Sequence, residues 1–363
     1  MTTAKVPAKA QSSNNLVGFL VGLAVVVVLA FIARWLKIQV YGTNLPLGIP
    51  GKALEYPLWA ALIGLIFNYI LKSVNVYDFI KSGFRTELFL KIGLVLLGAG
   101  ISFKVIVTAA AGAIIQALIM VTSVYFFCWW LSGKFGLPDT LRAVMSTAIS
   151  ICGVSAAIAA AGSVLAKKEE ITYVTALVIV TALPLMVIAP LLAGLMGLSE
   201  PVAGAWFGGN VDTTAAVVGA GTMYGKTAQQ IASIVKQTQN ALIGVVAFLL
   251  ALYFSVVVEG KKERPSAAVI WQRFPKFVLG FIVTSLLFTF GLIAKDPGAA
   301  IAAMKDWAFC LAFVCMGLEL SASQIKKMGW NPIIVYLIVT VFNTVLALIV
   351  SYLIFGWLFP AKL

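Results

Sequence analysis

Residues 208–221 read Gly208-Gly209-Asn210-Val211-Asp212-Thr213-Thr214-Ala215-Ala216-Val217-Val218-Gly219-Ala220-Gly221. A carboxylate, an amide and two hydroxyls stand here among glycines, while the chain on either side is almost wholly apolar. Glycine lets the backbone leave the helix, and polar groups in apolar surroundings must find partners. Such a stretch is costly inside a membrane and is kept there for function.

The composition around it fixes the setting. Of 363 residues, 61% are apolar and 11% charged, and apolar runs of membrane-spanning length recur throughout, which predicts an all-α polytopic membrane protein. The net charge of +13 does not point to nucleic acid, because the lysines and arginines stand in short connections between apolar runs and read as topology signals. Cys128, Cys152, Cys310 and Cys315 lie within apolar segments and lack metal-site spacing. The absence of histidine excludes histidine relays, histidine metal ligands and Ser-His-Asp chemistry. No catalytic constellation can be assembled from the scattered carboxylates, so an enzyme is not expected, and no cofactor is implied beyond H+ or Na+ as a coupling ion.

Residues 1–15 read as a cytoplasmic tail and residues 16–363 as one transmembrane region. Spans are predicted from about Leu16 to Leu36, Pro57 to Leu71, through Gly93 to Ser102, and Ala109 to Leu131 with Trp129 and Trp130 as an interfacial anchor. Further spans follow at Ile171–Met196, Lys226–Val258, Phe277–Ile293, Ala300–Leu320 and Pro332–Leu358. A Gly/Pro-rich loop at Pro46–Gly51 and a basic loop at Lys261–Lys276 join some of them. Two segments are interrupted, near 139–165 and 203–225, and each is expected to be a broken or re-entrant helix.

Weak repeats relate the two halves. Pro57-Leu58-Trp59 resembles Pro275-Lys276-Phe277, and Leu97-Gly98 resembles Met316-Gly317, at nearly one offset. Cys152–Ile158 can be set against Val211–Val217 as a repeat rearranged in order. With a cytoplasmic N-terminus, most of the 26 basic residues fall on the cytoplasmic side and the related segments run antiparallel, as an inverted repeat requires.

Paired interrupted segments point to a secondary transporter's central site, because half-helix N-termini offer N–H groups and a positive dipole end to an anion. The candidate substrate-binding residues are Ser150, Cys152, Gly153, Val154 and Ser155 in the first segment, and Gly209, Asn210, Thr213 and Thr214 in the second. Gly153 and Gly209 are expected to open the backbone. Asp212 admits two readings: a site for a coupling proton or sodium ion, or an N-cap of the helix that follows. Lys236 is an accessory candidate that can pair with Asp212, attract the substrate or extend to the interface. Gln116 and Asn343 read as interhelical hydrogen-bond groups, and Glu319 as an interfacial residue.

The string Ser150-Ile151-Cys152-Gly153-Val154-Ser155-Ala156-Ala157-Ile158-Ala159-Ala160, the following Lys168-Glu169-Glu170, and Gly208–Gly221 with Ile234-Val235-Lys236 resemble the YeiH-like family of bacterial inner-membrane sulfate exporters. The resemblance extends from the second span to the last. It implies a multi-pass carrier in the inner membrane that moves a small anion such as sulfate or a sulfonate. Family members often carry a histidine before the acidic residue of the second motif. This chain has Val211 there, which leaves Asp212 as the titratable group. A channel-like anion conduit and a Na+-coupled carrier of another solute are the alternatives. The expected partners are the solute, the lipid bilayer and further copies of the chain, with no nucleic acid.

Overall fold

The computed structural model describes residues 8–40, 56–254, 256, 268, 271, 276–293, 298–319 and 329–359. Among them there is no strand. Six helices are long and apolar enough to cross a membrane: Leu16–Val40, Phe103–Lys134, Lys168–Leu195, Lys226–Tyr253, Ala300–Leu318 and Asn331–Leu358. The expected loop at Pro46–Gly51 and nearly all of that at Lys261–Lys276 lie outside the described residues. Large apolar side chains stay exposed along these helices, among them Phe31, Trp35, Phe126 and Val341. Water would not tolerate that surface, whereas lipid does.

The chain forms two compact units. The first comprises Met1–Gly93 and Ala303–Leu320. It contains α1 (Ala8–Val40), α2 (Tyr56–Ser73), the short α3 (Tyr77–Ile80), the start of α4 (Thr86–Gly98) and most of α14 (Gly298–Leu318). Helix α1 begins inside the expected N-terminal tail. The segment after α2 turns by 120°, so Tyr56–Ser73 and Tyr77–Gly98 form a bent pair. Helices α2 and α14 touch through backbone: a Cβ on Gly317 would collide with the Ala61 carbonyl, and one on Gly64 with the Val314 carbonyl. Asn68 Nδ2 donates to the Leu318 carbonyl beside this contact.

The second unit comprises Leu94–Ala302 and Ser321–Leu363. Its helices are the end of α4, α5 (Phe103–Lys134), α6 (Asp139–Ser150), α7 (Val154–Val164), α8 (Lys168–Leu195), α9 (Glu200–Asn210), α10 (Thr214–Tyr224), α11 (Lys226–Ala241), α12 (Ile243–Tyr253), α13 (Phe277–Thr289) and α15 (Asn331–Ser351). A π-helical turn, Tyr352–Leu358, extends α15. At the end of α5, Trp130 is exposed as an anchor should be, and the Arg142 guanidinium lies 4.2 Å from the Trp129 ring centroid.

The repeat finds a packing counterpart within each unit. Gly98 of α4 meets the Phe281 carbonyl of α13 just as Gly317 of α14 meets the Ala61 carbonyl of α2. Thr284 Oγ1 of α13 donates to the Val95 carbonyl at 2.7 Å, as Asn68 does to Leu318. Gly98 and Gly317 are the residues that the offset pairs. The reason for glycine at both is the same: without a Cβ, two backbones come close enough for dispersion contacts that lipid cannot match.

Close approach also sets the centre of the second unit. Gly204 and Gly208, one turn apart on α9, lie against α11; a Cβ on Gly204 would sit 2.5 Å from the Ala228 carbonyl oxygen, and one on Gly208 2.8 Å from Val235 Cβ. The small-residue face of α9 thereby fixes how α11 is rotated, and the polar side chains of α11 are held inside the protein.

Candidate functional site

Both interrupted segments are broken helices. Helix α6 ends at Ser150 and α7 starts at Val154, with Gly153 at φ +72° between them. That conformation suits glycine, and a Cβ would also sit 2.5 Å from Val178 Cγ1. In the other segment α9 ends at Asn210 and α10 starts at Thr214. Thr213 is the N-cap of α10: its Oγ1 accepts from the Ala216 amide at 3.2 Å.

The fold brings the two breaks together. A Cβ on Gly153 would lie 3.3 Å from Thr213 Cγ2 and 3.5 Å from the Asp212 carbonyl oxygen. The N-termini of two half-helices, α7 and α10, are thus adjacent, and each carries partial positive charge.

Asp212 lies at this junction and is 1% exposed. Its Oδ2 accepts from Tyr336 Oη at 2.9 Å and from Thr181 Oγ1 at 3.3 Å. Thr181 has one hydroxyl proton and also reaches the Leu177 carbonyl at 2.9 Å, so the Tyr336 bond is the firmer of the two. Asp212 Oδ1 is buried with no hydrogen-bond partner. Of the two readings of Asp212, the N-cap is not what the structure shows: its neighbour Thr213 caps α10, and the carboxylate is buried.

Lys236 is 2% exposed and does not extend to the interface. Its Nζ donates to Gln239 Oε1 at 3.2 Å, and its charge acts on both Asp212 and Cys152. A basic and an acidic side chain are thus buried in the same unit, and neither Asp212 oxygen bonds the Lys236 ammonium directly.

The remaining sequence candidates divide. Ser150 and Cys152 are buried at the first break, Val154 is partly buried, and Ser155 is exposed. Thr214 Oγ1 accepts from Asn240 Nδ2 at 3.2 Å, joining the start of α10 to α11. Gly209 does not open the backbone. It lies within α9, where a Cβ would sit 2.5 Å from Gln116 Nε2, so its smallness serves packing. Asn210 is turned toward α15: its carbonyl accepts from Asn343 Nδ2 at 2.9 Å and its Oδ1 from Thr344 Oγ1 at 2.8 Å. Gln116 and Asn343 are the interhelical ties expected of them, Gln116 Nε2 reaching the Ala205 carbonyl at 2.7 Å.

Glu319, one residue beyond the α14 span, is half-buried in the first unit. Burial pushes its carboxyl up to about 7, and Glu87 adds to the effect.

Sequence reasoning missed Thr181, Tyr336, Gln237, Gln239 and Asn240. The first two carry no local signal, since one hydroxyl in an apolar span looks like any other. The three amides were readable as an excess of polar residues early in a spanning helix.

Fold and junction define a polytopic all-α membrane protein with two broken helices packed break to break around a buried carboxylate. The chain belongs to the family described as Conserved hypothetical protein 698, whose model matches residues 18–336. The YeiH-like family it resembles in sequence is this same family. It is similar to a UPF0324 membrane protein of Rhodopirellula baltica, 35% identical over 356 residues that cover 94% of this chain and 64% of the relative. A UPF0324 membrane protein of Nitratidesulfovibrio vulgaris is 36% identical over 360 residues, 94% of this chain and 60% of that one. The chain therefore spans less than two thirds of these two relatives. A Bacillus cereus UPF0324 membrane protein is 27% identical over 340 residues and is covered over 95% of its length. No solved structure matches the chain.

Proposed function

We propose that the protein is a secondary carrier of the inner membrane that exports a small oxyanion such as sulfate or a sulfonate. The observation that carries the reading is the junction: two half-helix N-termini meet beside a buried carboxylate with one oxygen unpartnered. Helix N-termini and hydroxyls can replace much of an anion's hydration shell, which permits release as well as binding. A carboxylate at membrane depth costs roughly 2.5 to 3.5 kcal/mol on insertion scales, so Asp212 takes up a compensating proton or sodium ion as part of the cycle. The matched helix contacts at Gly98 and Gly317 support an inverted repeat, and the basic loops support a cytoplasmic N-terminus.

The test is thermal stabilisation of the purified protein by sulfate, sulfite, sulfonates, carboxylates and bicarbonate, with and without Na+ and at two pH values. A ligand that binds the folded state alone raises its apparent stability. A shift with an oxyanion that depends on Na+ or pH supports the carrier. A shift with neutral solutes or cations and with no anion overturns it.

A further inference from the structure

The polar face of α11 has no part in the reading above, yet it is the most heavily polar buried surface described. Lys236, Gln237, Gln239 and Asn240 are all buried. Asn240 Nδ2 lies 3.2 Å from both Thr214 Oγ1 and Gln237 Oε1, so this face adjoins the N-terminus of α10 and hence the junction. Three of its amide atoms, Gln237 Nε2, Gln239 Nε2 and Asn240 Oδ1, are buried without partners, as is Asp212 Oδ1. Each such group is destabilising unless something completes it, and the contacts of Lys236 with Gln239 and of Gln237 with Asn240, the latter also touching Thr214, bring the three α11 amides to the start of α10 as a built site for a polar solute.

The charges constrain which solute. Among the described residues the buried charged side chains are Glu170, Asp212 and Lys236. Glu170 is engaged elsewhere, by the Lys167 amide and Thr140 Oγ1 at the start of α8. The site itself thus holds one basic and one acidic side chain. The titratable groups around Asp212 are Tyr336 from α15, Lys236 from α11 and Cys128 from α5, while Cys152 at the first break acts on Lys236. Thr181 from α8 does not titrate.

Resting on the carrier reading, we infer that the α11 face with Lys236 grips a monovalent oxyanion, and that each one is coupled to one monovalent cation at Asp212. Without solute, the Lys236 and Asp212 charges cancel. When a monovalent anion sits on Lys236, the site is left with an uncompensated carboxylate until Asp212 accepts one H+ or Na+. Loaded and unloaded states are then both neutral, and neither carries net charge into the low-dielectric interior. A dianion would need a second cation, for which the described residues offer no second buried carboxylate at the site.

The experiment is uptake by the purified full chain in proteoliposomes, with methanesulfonate as the monovalent probe and inorganic sulfate as the divalent one. Luminal pH and Na+ are followed, and the membrane voltage is either clamped or left free. Saturable methanesulfonate uptake with one H+ or Na+ per anion, at a rate indifferent to voltage, is expected. Gln237→Leu and Asn240→Ala should each raise KM by about tenfold or more, because a site built to hydrogen-bond its substrate loses that discrimination. The near-isosteric Gln237→Glu, which keeps the packing, should abolish uptake by placing a negative charge on the grip. Voltage-dependent uptake, or sulfate taken in preference to methanesulfonate, overturns the charge balance. Unaltered KM in folded α11 variants overturns the grip while leaving the carrier standing. If the wild-type protein takes up neither anion and is stabilised by none, the carrier reading falls and this inference with it.

Discussion

Tyr336 donates its phenolic proton to Asp212 Oδ2 across 2.9 Å, joining residues 124 positions apart in the sequence. It is the firmest tie holding the carboxylate, because the Thr181 hydroxyl is shared with the carbonyls of its own helix. Tyr336→Phe keeps the ring and removes only this donor. The loss should be about 1 to 3 kcal/mol, the cost of leaving a buried polar group short of a partner. A lowered melting temperature in detergent checks it, and an unchanged one would show that Asp212 draws its support elsewhere.

Gly153→Ala meets two obstacles, a φ of +72° and Val178 Cγ1 at 2.5 Å from the new methyl. Gly136 has a similar φ of +68° but nothing within 4 Å, so Gly136→Ala isolates the backbone contribution. About 1 to 2 kcal/mol is expected for Gly136→Ala. The Gly153 variant should lose about 1 to 3 kcal/mol more through overpacking. Equal melting points for the two variants would mean that Val178 moves aside freely.

Lys236 and Asp212 should behave as a compensating pair. Removing either group alone, by Lys236→Met or Asp212→Asn, should destabilise, but by less than the roughly 3 to 5 kcal/mol lost when a buried ion pair in direct contact is broken. The double variant should recover much of that loss, since no unbalanced charge remains. Additive losses in the melting temperatures of the two singles and the double would show that the charges do not sense each other.

Glu319 gives a pH signature. Its carboxyl is raised from 4.5 to about 7 by burial, so between those values the unfolded chain releases a proton that the folded chain keeps. Stability contributed by the protonated form is fully present below 4.5 and is lost as pH rises toward about 7. Melting curves of the wild type and Glu319→Gln over that range should differ by this slope, the variant being flatter.

Six of the spans were legible because apolar runs of membrane length have few other uses; the predicted spans at Pro57–Leu71 and Gly93–Ser102 instead form a bent pair, and that at Phe277–Ile293 is the shorter helix Phe277–Thr289. Both breaks were also legible, since Gly153 and the polar run around Asp212 contradict a continuous lipid-facing helix. What could not be read was orientation about the helix axis. Gly209 and Gly153 look alike in sequence, yet one packs against Gln116 within a helix and the other bends the chain. Likewise Asp212 and Thr213 are both good caps, and which one turns toward the α10 amides depends on Tyr336, far along the chain. The amides of α11 were visible as a polar excess, but their burial follows from the Gly204 and Gly208 contact, a property of two helices together.

The division of labour between Asp212 and Thr213 has a mechanical consequence. Because the hydroxyl at 213 secures the first turn of α10, the carboxylate at 212 can gain or shed a charge without unravelling the helix beside it. A substitution at 212 therefore acts through the carboxylate's own contacts with Tyr336 and Thr181 and leaves the capped first turn of α10 in place.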